Sequence, residues 1–102
     1  MLMRFEHYAT TSMLGAADAP PRRNGELLFA HPWESRAFGL AIALAKAGHF
    51  EWEDFRQQLI AAIGAWEAAG HPPAEWNYYE RWLEALRGVL RGTELAALVA
   101  ED

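Results

Sequence analysis

The chain contains no cysteine, which removes disulfides, thiolate nucleophiles and cysteine-based metal sites from its own chemistry. Basic residues are few and scattered: nine Lys and Arg against fourteen Asp and Glu leave a net charge of −5. Phosphate recognition needs a concentrated basic face, so the balance argues against nucleic acid as a partner. No stretch approaches the roughly 18 consecutive apolar residues of a membrane span. The N-terminus also lacks the basic-then-apolar layout of a secretory signal. A soluble, cytoplasmic chain is therefore expected. There is no Gly-rich phosphate loop, and neither Ser12 nor Ser35 lies in a nucleophile elbow. No sustained alternation of β-branched residues appears, so no sheet is expected.

What is present is apolar and aromatic. Hydrophobic residues make up 52% of 102 positions and charged residues 23%, the composition of one globular domain with a modest core. Residues 1–31 read as an arm. Pro20-Pro21-Arg22-Arg23-Asn24-Gly25 is turn and extended-chain chemistry, and a short helix over residues 5–14 is conceivable upstream of it. The arm could lie on its own domain or wrap a partner.

Residues 32–102 read as a helical domain. Pro32 suits the first helical position and Gly48 the residue that closes a helix, which bounds a first helix over 32–47. Its apolar residues Trp33, Ala37, Phe38, Leu40, Ala41, Ile42, Leu44 and Ala45 cover nearly the whole circumference, so it is expected at the centre. A second helix spans 52–69 before Gly70, with Phe55, Leu59, Ala62, Ile63 and Trp66 along one stripe. A third begins near Trp76 or Asn77 and ends at Gly92. Trp76, Tyr79, Trp82, Leu83, Leu86, Val89 and Leu90 share one face; Asn77, Glu80, Arg81, Glu84, Arg87 and Arg91 share the other. Thr93 can cap a short final helix. The fold class is all-α, a bundle of three main helices with an N-terminal arm.

Three motifs stand at helix starts: His31-Pro32-Trp33-Glu34, Glu51-Trp52-Glu53-Asp54-Phe55-Arg56 and Tyr78-Tyr79-Glu80-Arg81-Trp82. They hold three of the five tryptophans. That aromatic load exceeds what a small core requires, which makes Trp33, Trp52, Tyr78, Tyr79 and Trp82 candidates for a partner-covered surface. His7, His31, His49 and His71 are too widely spaced for a metal motif. Glu51, Glu53 and Asp54 fit the role of helix-dipole partners better than that of acid–base catalysts. Arg56 falls among Trp52, Ile60 and Ile63 on the helical wheel, where a guanidinium needs an anion. Glu53 or Glu67 could supply it from the same helix, as spacing alone favours, or another chain could.

In order and spacing these motifs, together with Asn24-Gly25-Glu26-Leu27-Leu28-Phe29 and Ala47-Gly48-His49-Phe50, give the chain its family likeness. Over about residues 22 to 95 it resembles the N-terminal helical half of nitrile hydratase β subunits, and the small β-like accessory proteins of those enzymes. The resemblance implies a partner rather than a lone catalyst of nitrile-to-amide hydration. In that family the α subunit carries cobalt or iron in a cysteine-rich loop with two oxidised cysteines. An arginine at the Asp-Phe-Arg position of β hydrogen-bonds them; here that residue is Arg56. No metal or other cofactor is expected on this chain.

The likeness implies two roles. One is an accessory protein, an activator or metallochaperone that holds the α subunit during maturation. The other is a permanent small β subunit beside a separate chain carrying the C-terminal β-barrel of full-length β subunits. Small size favours the first role, and Arg56 favours the second. A helical interaction domain without nitrile chemistry is the contrasting class; it predicts no α-type protein encoded nearby.

Overall fold

The computed structural model describes residues 19–23, 26–91 and 93. The possible helix over 5–14, the Asn24-Gly25 turn and the helix expected after Thr93 lie outside them. Three helices dominate: α1 (Pro32–Lys46), α2 (Trp52–Ala68) and α3 (Tyr78–Leu90). A two-residue antiparallel ladder precedes them, β1 (Arg22–Arg23) with β2 (Glu26–Leu27), pairing Arg22 with Leu27. No sheet was expected, and a ladder of two residues a side is too short to show an alternating pattern. It is a local pairing across two intervening positions in an otherwise helical fold.

The helix boundaries follow from short-range chemistry. His31 is the N-cap of α1 with extended backbone, and Pro32 occupies the first helical position, where its missing N–H is not needed. At the other end Gly48 adopts φ 89°. The amide of Gly48 bonds the Ala45 carbonyl and that of His49 bonds the Leu44 carbonyl, both at 3.0 Å. This crossed pair satisfies carbonyls that the helix itself leaves open. Gly70, at φ 76°, ends α2 in the same left-handed conformation. His71-Pro72 then breaks the chain, a single 3-10 turn covers Pro73–Glu75, and Asn77 caps α3. Its side-chain oxygen accepts from the amides of Tyr79 at 2.8 Å and Glu80 at 3.1 Å.

The expectation of a central α1 is corrected. α3 packs against both α1 and α2 and buries seven residues, including Tyr78, Tyr79, Trp82, Leu86 and Leu90. α1 buries only Glu34, Ala37, Ala41 and Ile42. The apolar circumference of α1 misled because the larger side chains spread around it, Phe38, Leu40 and Leu44, are only half-buried.

Trp82 forms the hub and is 0% exposed. Its ring stacks on Phe38 at 5.0 Å and meets Phe55 edge-on at 4.7 Å. Its indole N–H donates to the Ala37 carbonyl at 3.0 Å, so the polar atom of the ring is satisfied inside the core. Trp52 stacks on Phe55 at 4.9 Å and closes the cluster from α2.

Candidate functional site

The N-terminal ends of α1 and α3 meet around one buried carboxylate. Glu34 is 3% exposed, a placement that costs several kcal/mol unless the charge is met by hydrogen bonds. It is met from three directions. The Ala30 amide donates at 2.6 Å, the His31 ring Nδ1 lies at 3.2 Å, and the Asn77 side-chain amide donates at 3.2 Å. Burial pushes this carboxyl upward. The hydrogen bonds from Ala30, the His31 ring, Asn77 and the His31 backbone outweigh burial and hold it below the ordinary value. Since Asn77 also caps α3, one chain of contacts runs from the arm through Glu34 into the start of α3.

Tyr79 closes this corner. Its hydroxyl donates to the Leu28 carbonyl at 3.4 Å, and its ring contacts Phe29 at 5.2 Å. Burial, with the Glu34 charge adding to it and Arg22 opposing, raises its hydroxyl well above the usual phenol range. Tyr79 is therefore a neutral donor and has no use as a base near neutral pH.

Beside this corner lies an open cleft of about 440 Å³ between Trp33 and the flank of α3, lined by Glu80, Arg81, Leu83, Glu84 and Arg87. Arg81 was expected on the solvent face of α3, and here the structure corrects the wheel: the residue is 7% exposed. Its guanidinium meets Glu84 at 3.0 Å and Glu80 at 3.6 Å, while its Nε is buried without a hydrogen-bond partner among the described residues. The cleft thus presents opposed charges in contact with each other and one indole wall, an arrangement suited to recognition. It holds no nucleophile. Among the described residues no group of three or more His, Cys, Asp or Glu is placed to hold a metal.

The residues singled out for partner contact separate into two sets. Trp52, Tyr78, Tyr79 and Trp82 are buried within the chain's own core, so their apolar surface is already covered and they support a surface rather than form it. Trp33 is half-buried and walls the cleft. Arg56 projects from the edge of α2, its side chain 20% exposed and 3.6 Å from Glu53. On the same helix Trp52 is buried, Ile63 is half-buried and Ile60 is 41% exposed, so Arg56 stands at the border of the core. Trp76 leaves the apolar face assigned to it: it precedes α3 in extended backbone, and its ring meets Trp66 at 4.9 Å on the surface, with His71 stacked on Trp66 at 5.1 Å.

Glu34 and Asn77 were not recognised as a pair from the sequence. Each carries a local signal: a glutamate three residues after an N-cap, and an asparagine three before Glu80. Neither signal says that the two meet.

Comparison with known proteins agrees with the likeness read from the motifs. The family model described as nitrile hydratase beta subunit, N-terminal, matches residues 9–99. The match covers residues 9–31 of the arm as well as all three helices, and the chain belongs to this family. No curated protein and no solved structure matches the chain. No helix among the described residues is long and apolar enough to cross a membrane.

Proposed function

We propose that this chain is a β-like partner of a nitrile hydratase-type α subunit, covers its metal and oxidised-cysteine centre, and acts in maturation as an accessory protein. The observation that carries the α-subunit partnership, in either role, is the placement of Arg56. Its guanidinium sits at the edge of α2 with one-fifth of the side chain accessible, in the Glu53-Asp54-Phe55-Arg56 context that the family likeness connects with a neighbouring subunit. A planar fork at such a border can give paired, charge-assisted hydrogen bonds to oxidised sulfur. Cobalt or iron, and the chemistry it supplies, would belong to the α subunit; this chain brings recognition and shielding.

The self-contained core favours the accessory role. Trp52, Tyr78, Tyr79 and Trp82 are covered without a second chain, whereas permanent subunits tend to leave large apolar surface for the interface. A domain of this kind can bind and leave. The second reading, a permanent small β subunit working with a separate barrel chain, draws on Arg56 itself, since a contact to the reactive centre is useful throughout turnover.

Co-expression with an adjacent α-type protein tests both. In the accessory reading the chain co-purifies with immature α subunit and is absent from the metal-filled enzyme. Arg56→Lys then slows maturation and leaves enzyme matured beforehand unaffected. In the permanent-subunit reading both proteins stay together in the mature state, and Arg56→Lys lowers turnover with assembly nearly intact. Normal maturation and normal turnover with Arg56→Lys would return Arg56 to a surface pair with Glu53, worth about 0.3–0.5 kcal/mol, and remove the support for either role.

A further inference from the structure

We infer that residues 28–30 form a releasable strap, pinned by Glu34 and Tyr79, that opens as a unit while the three-helix core stays folded. The inference does not depend on the proposed function. It comes from how few groups hold the segment among the described residues and how they are arranged.

The strap's polar fixings to the helices come from two side chains. The Ala30 amide donates to Glu34 at 2.6 Å, and the Leu28 carbonyl accepts from the Tyr79 hydroxyl at 3.4 Å. Its one large apolar anchor is Phe29, which lies between Phe38 at 5.7 Å and Tyr79 at 5.2 Å. The neighbouring side chain Leu28 is exposed. On its other side the Leu28 amide donates to the carbonyl of Pro21, just before β1, at 3.0 Å, a tie to the arm and not to the helices. The core, in contrast, is closed by contacts in which the strap has no part: Phe38 and Phe55 on Trp82, Trp52 on Phe55, and Trp82 on the Ala37 carbonyl.

Contiguous segments with few buried contacts open below the global unfolding free energy. Opening here would separate Phe29 from Phe38 and Tyr79, uncovering those two rings. Glu34 acts as the pin because its two roles converge: it receives the Ala30 amide and is itself fixed by Asn77. Phe29 supplies the plug.

Native-state hydrogen exchange on the full chain, with increasing denaturant, tests this. In the wild type the Ala30 amide is expected to exchange through an opening with a much smaller denaturant slope than the α3 amides of Trp82 and Leu86. Glu34→Gln should lower Ala30 protection by roughly tenfold or more, with the bundle still melting cooperatively. Tyr79→Phe, which keeps the ring and removes only the hydroxyl, should lower it by a few-fold and guards against a Glu34 variant that does not fold. Ala30 and Leu86 sharing one opening free energy and one slope in the wild type would overturn the strap. So would unchanged Ala30 protection in both variants, or loss of the cooperative melt with Glu34→Gln.

Discussion

Glu34 and Asn77 stand 43 positions apart in the chain and meet at 3.2 Å, joining the first turn of α1 to the cap of α3. Each solves a problem for the other. The carboxylate needs donors to stay charged while buried, and the asparagine needs a fixed orientation to present its oxygen to two helix amides.

Removing the cap should therefore act at both ends. Asn77→Ala is expected to destabilise the domain by about 1–2 kcal/mol in urea unfolding, the range for N-cap loss. A double-mutant cycle with Glu34→Gln should show coupling above about 0.5 kcal/mol. Strict additivity would mean that the two residues act separately.

The pH dependence follows from the same corner. Glu34 is held below its ordinary value of 4.5, so the folded state binds fewer protons there than the unfolded chain. Its contribution is complete above that value and is lost as pH falls through the lower native one. Glu34→Gln should flatten the acid limb of stability against pH. Tyr79 acts in the opposite sense: its hydroxyl is raised above 10.0, so its contribution is complete below about 10.0 and is lost as pH rises beyond it. Tyr79→Phe should reduce the alkaline loss. Thermal melts between acid and alkaline buffers would measure both.

Two tryptophans on either side of the α3 cap should respond differently. Trp82→Ala removes a fully covered hub and is expected to cost about 3–5 kcal/mol, enough to unfold a marginal domain. Trp76→Ala removes a ring that is 39% exposed and should cost less than about 1 kcal/mol. Urea titrations followed by circular dichroism would separate them; similar losses would contradict the placement of Trp76 outside the core.

Glycine substitutions should divide by backbone conformation. Gly39 in α1 and Gly64 in α2 have open space where a Cβ would stand, so each change to Ala should stabilise by about 0.5–1 kcal/mol. Gly48→Ala and Gly70→Ala place a side chain at positive φ and should destabilise by about 1 kcal/mol. Midpoints from denaturant titration would show opposite signs for the two pairs.

Much of this fold was legible because its punctuation is local. Pro32, Gly48, Gly70 and Asn77 each act within a few residues, and the boundaries read from them agree with α1, α2 and α3 to within two positions at most at each end. The centre of the bundle was not legible in this way. A wheel counts Leu40 and Leu44 as core, although each is only half-buried once α3 takes the middle. Arg81 was misplaced because its angle on α3 is polar, whereas Glu80 and Glu84 of the same helix meet its guanidinium and let it lie buried. Glu34 looked like an ordinary acid in a first helical turn. Its burial is decided by Ala30, just before the helix, and by Asn77, far along the chain. At Arg56 the wheel correctly indicated apolar neighbours, but exposure of Ile60 turns a buried position into a border one.

The middle position of α3 has a consequence for how the polypeptide is made. α1 and α2 are synthesised first, yet their main packing partner is the helix that follows both. Until Tyr78–Leu90 leaves the ribosome, Phe38, Trp52 and Phe55 have no Trp82 to close on. Two short amphipathic helices without that partner are marginal in water. Until α3 has emerged, the nascent chain therefore leaves Phe38, Trp52 and Phe55 without the indole that covers them.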